Sequence, residues 1–224
     1  MAAVRHRGPA EAPNLGTPTK PRPAASVVLL RRGGKHRDRA LEVLLLKRSG
    51  EARFMPNVWV FPGGSVDPAD GEGEEGHRSC AVRELAEEAG IELGEDAELV
   101  GWSRWITPEV VPVRFDTYFF VALAGAHARA EADGVEVSDA RWFEPRAALD
   151  AHAADELDLV FPTIKTLETL LEHETTDAVI EAARGRDVQP VLPRVVGTRV
   201  KHRIVLPWEE GYDDGAEDIG SLPP

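Results

Sequence analysis

Four charged side chains crowd into the run Arg83-Glu84-Leu85-Ala86-Glu87-Glu88-Ala89-Gly90-Ile91. An α-helix turns about 100° per residue, so with Glu84 set at 0°, Glu87 falls near −60° and Glu88 near +40°. Val82, Leu85, Ala86 and Ala89 take the other side of the wheel. That stripe predicts packing against a sheet, with the acids pointing away together. Like charges at i, i+3 and i, i+4 cost a few tenths of a kcal/mol per pair. Arg83, at i, i+4 to Glu87, can neutralise one of them. Glu84 and Glu88 remain one turn apart without a counter-charge, a geometry suited to a hard divalent cation with oxygen ligands, Mg²⁺ or Mn²⁺. Taken alone, the same residues read equally well as a solvated acidic face.

Upstream stands Phe61-Pro62-Gly63-Gly64, a strand end followed by glycines that let the backbone approach a ligand closely. Gly64, Glu75 and the block Arg83–Ile91 together resemble the Nudix box, G-x5-E-x7-R-E-U-x-E-E-x-G-U with U aliphatic. The second half matches at every specified position, and Glu75 stands at the x7 distance before Arg83. The first half departs from the pattern. Asp70 sits at the G-x5 distance from Gly64, so the loop DPADGEGEEG looks like an insertion, and either acid could serve as the first of the box. Glu75 is the preferred one.

The resemblance implies a Nudix-type α/β/α sandwich and hydrolysis of a nucleoside diphosphate linked to another group. It also implies that Glu84 and Glu88 bind the metal with Glu87 assisting, that Arg83 orients Glu87, and that the carbonyl of Gly63 or Gly64 adds an oxygen ligand. Several relatives carry a further acid just before a later strand. Glu136, six residues ahead of Trp142, stands in that position, and it reads also as a solvated loop acid. The physical need for a cation is independent of the name. A diphosphate repels hydroxide and an acidic protein alike, so cations must bridge its oxygens and activate the water.

A second resemblance overlaps the first. Coenzyme A diphosphatases of the Nudix family show L-L-T-x-R-(S/A)-x3-R-x3-G-x3-F-P-G-G. Leu44-Leu45-Leu46-Lys47-Arg48-Ser49, Arg53, Asn57 and Phe61-Pro62-Gly63-Gly64 keep every spacing, with Leu46 for the Thr and Asn57 for the Gly. Asn tolerates positive φ better than most residues. Phe54-Met55-Pro56 and Arg114-Phe115-Asp116-Thr117 are similar to the branch that includes acyl-CoA diphosphatases. The implied substrate-binding residues are Arg48, Arg53, Gly63, Gly64 and Arg114. Lys47, Arg48 and Arg53 could hold phosphate, Arg in bidentate fashion, or could balance the acidic helix. The alternatives to coenzyme A are ADP-ribose or NADH as substrate, and a non-catalytic Nudix ligand sensor. Trp102, Trp105 and Phe115 could stack on an adenine, although core packing is the expectation for each, and Cys80 is expected to be incidental.

These residues must be positioned by an α/β domain with a mixed sheet. Strand patterns occur at 26–30, 41–46, 58–61, 99–106, 117–124 and 140–144. Helical patterns occur at 77–89, with Gly90 as C-cap, and at 145–153, 161–173 and 175–184; residues 190–207 read as a hairpin turning near Gly197-Thr198. The domain is expected over 24–207, between a flexible Pro-rich arm (1–23) and an acidic tail (208–224). Of 224 residues, 26 are Lys or Arg and 39 Asp or Glu, a net charge of −13 that argues against general nucleic-acid binding. No apolar run approaches the roughly 20 residues of a membrane span, and the N-terminus lacks a secretory apolar stretch. The single cysteine fits a reducing, cytoplasmic setting. The expected partner is a small-molecule nucleotide, with no nucleic acid or membrane; a homodimer is compatible with the sequence.

Overall fold

The structure, a computed structural model, describes residues 14, 16–33, 40–52, 54–94, 96–125, 128–197 and 202–213. Its centre is β1 (Arg22–Gly33), whose residues from Ala25 to Leu30 form an almost uninterrupted apolar run, buried on both faces. Such a run belongs in the middle of a sheet covered on both sides. β6 (Phe115–Leu123) pairs with β1 in parallel over nine residues, Arg22↔Phe115 to Leu30↔Leu123. The other edge of β1 is shared. Its C-terminal half pairs antiparallel with β2 (Ala40–Arg48), and its N-terminal half pairs antiparallel with β4 (Gly63–Ser65). The sheet order is β3 (Trp59–Val60)-β2-β1-β6-β5 (Val100–Ile106)-β8 (Pro190–Val191), and β7 (Val137–Phe143) also pairs with β2.

Helices cover both faces, the α/β/α sandwich expected. α1 (Gly73–Ala89) packs on one face, where Cys80, Ala81, Leu85 and Ala89 meet Ala25, Val27, Leu29, Leu44 and Phe120. On the other face α2 (Pro145–Ala153), α3 (Phe161–Leu170) and α4 (Thr176–Arg184) bury Ala148, Leu167 and Ile180 against Val28, Val43 and Trp102. β9 (Arg194–Gly197) and β10 (His202–Val205) form the expected hairpin as a separate two-stranded sheet; its turn lies outside the described residues. Among the described residues no helix is long and apolar enough to cross a membrane.

Three local expectations change. α1 begins at Gly73 rather than at His77. The glycine pair itself forms a strand, β4, which its composition gives no reason to expect. The arm is tied down before residue 23: Asn14 N–H donates to the Val110 carbonyl (2.7 Å) and the Thr19 hydroxyl to the Pro112 carbonyl (2.9 Å). Residues 1–13 and 214–224 of the expected arm and tail lie outside the described set.

β4 approaches β1 closely enough that the two glycines are not equivalent. A Cβ on Gly63 would stand 2.3 Å from the Ala25 carbonyl oxygen and 2.7 Å from Ser26 Cα, at φ 157°. A Cβ on Gly64 would meet the movable carboxylate of Glu84 instead, 2.3 Å from Oε1. Gly63→Ala is therefore expected to cost about 2–4 kcal/mol of stability, and Gly64→Ala less than about 1 kcal/mol, measured by urea unfolding. Equal losses would contradict this reading of the β1–β4 contact.

Candidate active site

α1 is rotated relative to the expectation. Val82, predicted to face the sheet, is 38% exposed, whereas Glu88 is only 6% exposed. The reason is a backbone donor that no helical wheel contains: the Gly63 N–H donates to Glu88 Oε2 at 2.8 Å. The strand and the helix face of Glu88 are thus held together by a charge-assisted hydrogen bond. It does not repay the full cost of burial. Desolvation pushes the Glu88 carboxyl up to about 8, the Gly63 N–H and the charge of Arg48 opposing, the charges of Glu84 and Glu136 adding to the rise. Burial also raises Glu84, against the pull of Arg83.

Arg83 organises the acids. Its Nε and Nη2 grip Asp70 (3.0 and 2.8 Å), while Nη1 donates to both Glu84 and Glu87 at 2.9 Å. The Asp70 side chain is 5% exposed, and Arg83 holds its carboxyl below the usual range. Glu75 is 88% exposed in the first turn of α1, with Arg78 at 3.6 Å. This corrects the preference for Glu75: the acid joined to Arg83 is Asp70, at the G-x5 distance. The inserted residues are absorbed by a 3₁₀ turn ending at Asp70 and by the extra N-terminal length of α1.

Beside the acids opens a cleft of about 1130 Å³. Arg48, Gly63, Gly64, Arg83, Glu84, Glu87, Glu88 and Glu136 line its polar end; Phe54, Met55, Trp105, Phe115, Val195 and Ile204 line apolar parts of it. Glu136, exposed before β7, joins the site through its charge on Glu84 and Glu88. Arg48 donates through Nε to the Phe54 carbonyl at 3.1 Å. Asn57 has φ 63°, so it supplies the positive-φ backbone that glycine has in the motif. Arg53 lies outside the described residues.

Arg114 is not brought to the site. It is 6% exposed, does not line the cleft, and donates to the carbonyls of Thr107 (2.9 Å) and Thr19 (2.7 Å). Its role is to clamp the arm and the loop after β5 onto β6. Trp102 is buried under the guanidinium of Arg186, as a core ring. Trp105 is buried in the core as expected while also lining the cleft, and Phe115 is half-buried on the cleft. Cys80 is fully buried near the Ser65 carbonyl, and desolvation raises its thiol to about 12, so it is inert.

Among the described residues no three His, Cys, Asp or Glu side chains converge into a cage. Mg²⁺ does not require one, since it keeps several waters and is held by one or two carboxylates plus substrate phosphates. The donor set fits that mode. Glu88 presents hard oxygens with no ion-pair partner in contact among the described residues, beside the backbone of Gly63, and Glu84, expected to lack a counter-charge, shares Arg83 with Glu87 because the guanidinium reaches both carboxylates. Glu87 is exposed and turned toward Arg83, and the Gly64 carbonyl faces Cys80 Sγ at 3.6 Å.

The NUDIX domain family matches residues 20–162. This chain is a Nudix protein. The putative nudix hydrolase 7 of Caenorhabditis elegans is 28% identical across 79% of this chain and 69% of its own length. The acyl-coenzyme A diphosphatase NUDT19 of Xenopus laevis is 25% identical across 58% of this chain and 59% of its own length. The crystal structure of a NUDIX hydrolase from Alicyclobacillus acidocaldarius superposes with a TM-score of 0.65 at 26% identity, covering 77% of this chain and 99% of that one. The Nudix hydrolase fold and its pyrophosphohydrolase class follow, and hydrolases of this family generally need divalent metal ions such as Mg²⁺.

In the metal-free Nudix chain Glu88 has a folded-state pKa of about 8, above its ordinary value of 4.5. The folded state then binds the extra proton between those values, so this group's contribution to stability falls as pH rises through the window. The slope is at most about 1.4 kcal/mol per pH unit. Thermal unfolding in EDTA is expected to show a steeper loss of stability from pH 5 to 8 in the native chain than in Glu88→Gln. Identical slopes would mean that Glu88 is not desolvated as described.

Proposed function

We propose that the chain is a Mg²⁺-dependent (or Mn²⁺-dependent) diphosphatase acting on coenzyme A or an acyl-CoA. The observation that carries this reading is a cleft lined both by the acids of α1 with Glu136 and by apolar side chains, into which Arg48 of the coenzyme A motif also opens. Glu84 and Glu88, with the Gly64 carbonyl, would hold the metal. When bound, it would neutralise diphosphate oxygens and lower the pKa of the attacking water.

The chain's own residues do the rest. Arg83, gripped by Asp70, fixes Glu84 and Glu87 and spends its donors on them rather than on substrate. Glu87, exposed on the cleft wall, is placed to accept the proton of the attacking water. Glu136 lines the same cleft from the loop before β7 and is the second candidate for that proton. Arg48, already within the field of Glu88, offers its remaining donors to a phosphate. The water oxygen bonds to one phosphorus, the bridging P–O bond breaks, and the products are a 3′-phosphorylated AMP and a phosphopantetheine or its acyl derivative.

Product analysis with coenzyme A, acyl-CoA, ADP-ribose and NADH, with and without Mg²⁺, tests the reading. Mg²⁺-dependent cleavage of coenzyme A or its thioesters with the highest kcat/KM is expected, and Glu88→Gln is expected to lose at least 100-fold in kcat. Preference for ADP-ribose or NADH would move the chain to the dinucleotide class. Tight binding without turnover of any diphosphate would identify a ligand sensor, although Glu84, Glu87 and Glu88 are all retained.

A further inference from the structure

The Nudix match ends at residue 162, yet Pro193, Val195 and Ile204 line the same cleft as Glu84 and Glu88. They come from the approach to β9 and from the β9–β10 hairpin, which among the described residues pairs only with itself. Its inner side closes a small apolar cluster of its own: Val195 packs with Val110 and Val111, and Ile204 lies against them. The loop carrying Val110 is pinned by the arm, through Asn14 N–H to the Val110 carbonyl and the Thr19 hydroxyl to the Pro112 carbonyl. This wall is built rather than incidental, since three segments distant in sequence hold it in place.

The charged and the apolar lining come from different segments. Among the described residues, every ionisable side chain lining the cleft comes from residues 48, 67–88 or 133–136, and none comes from the lining residues of 105–119 or beyond 160. A diphosphate with two nucleoside halves has the faces of its bases but no alkyl surface to match such a lobe. A coenzyme A thioester does: the diphosphate belongs at the acids, the pantetheine arm leads away, and an acyl chain follows it.

We propose that the lobe walled by Val110, Val111, Phe115, Pro193, Val195 and Ile204 receives the acyl chain of the substrate, making the C-terminal hairpin the element that selects acyl-CoA over free coenzyme A. The proposal rests on the coenzyme A reading of the same cleft. Burial of each methylene supports roughly fourfold tighter binding, so a chain of several carbons dominates the choice.

The test compares free coenzyme A, acetyl-CoA and octanoyl-CoA on the full chain with Mg²⁺, alongside calorimetric binding of octanoyl-pantetheine, which carries the chain but no diphosphate. The native protein is expected to favour octanoyl-CoA over coenzyme A at least tenfold in kcat/KM. Ile204→Trp, which fills the lobe from a half-buried position, is expected to cut that ratio at least tenfold. Ile204→Ser, a smaller perturbation checked for folding by its unfolding transition, is expected to cut it about threefold. No preference for the octanoyl chain, or an unchanged ratio in both variants, would overturn the lobe assignment while leaving the coenzyme A reading intact. If neither coenzyme A nor its thioesters are cleaved, the coenzyme A reading fails. Octanoyl-pantetheine binding then decides the lobe: binding lost in Ile204→Trp supports it, and no binding by the native chain overturns it.

Discussion

A carboxylate is buried where a helix crosses a two-glycine strand, and the rest of the site depends on it. Glu88 cannot turn to solvent without rotating α1, because Cys80, Ala81, Leu85 and Ala89 on neighbouring faces are fully buried in the sheet. It is kept in place by one backbone N–H, from Gly63. That single donor leaves the charge under-compensated, which is why burial raises its pKa so far. A protein of net charge −13 has little reason to bury an acid beside other acids unless a cation is to be held there.

The surrounding framework supports that contact at two removes. β1 divides one edge between β2 and β4, so the glycine pair is hydrogen-bonded into the sheet instead of hanging as a loop. Its backbone donor is therefore as rigid as the core strand. On the helix side, Asp70 locks Arg83, and Arg83 fixes the carboxylates of Glu84 and Glu87. The arrangement holds the buried carboxylates of Glu84 and Glu88 near rigid backbone and leaves that of Glu87 exposed on the cleft.

Much of this was legible in the residue order. The run Arg83–Ile91 pointed to a helix that gathers carboxylates, and Gly90 does end it, with φ 63° and its N–H on the Ala86 carbonyl. The apolar runs located β1, β2, β5 and β6, and the helical patterns at 145–153 and 175–184 located α2 and α4. What could not be read depends on contacts distant in sequence. Helical periodicity put Val82 inside and Glu88 outside because it carries no knowledge of the Gly63 N–H. The choice between Asp70 and Glu75 turned on where α1 begins, which the acidic, glycine-rich insertion does not signal. Arg114 looked like a substrate ligand because its clamp on the Thr19 carbonyl involves a Pro-rich arm with no pattern of its own. The apolar wall made by Pro193, Val195 and Ile204 was visible only as a hairpin, since it depends on where that hairpin lands.

The most direct test of the buried-carboxylate account is the anomalous diffraction signal of crystals grown with Mn²⁺. The account predicts a manganese peak between the carboxylates of Glu84 and Glu88, against the Gly63-Gly64 backbone, absent from crystals of Glu88→Gln. Manganese bound elsewhere, with Glu88 still facing the Gly63 N–H and no ion beside it, would contradict it.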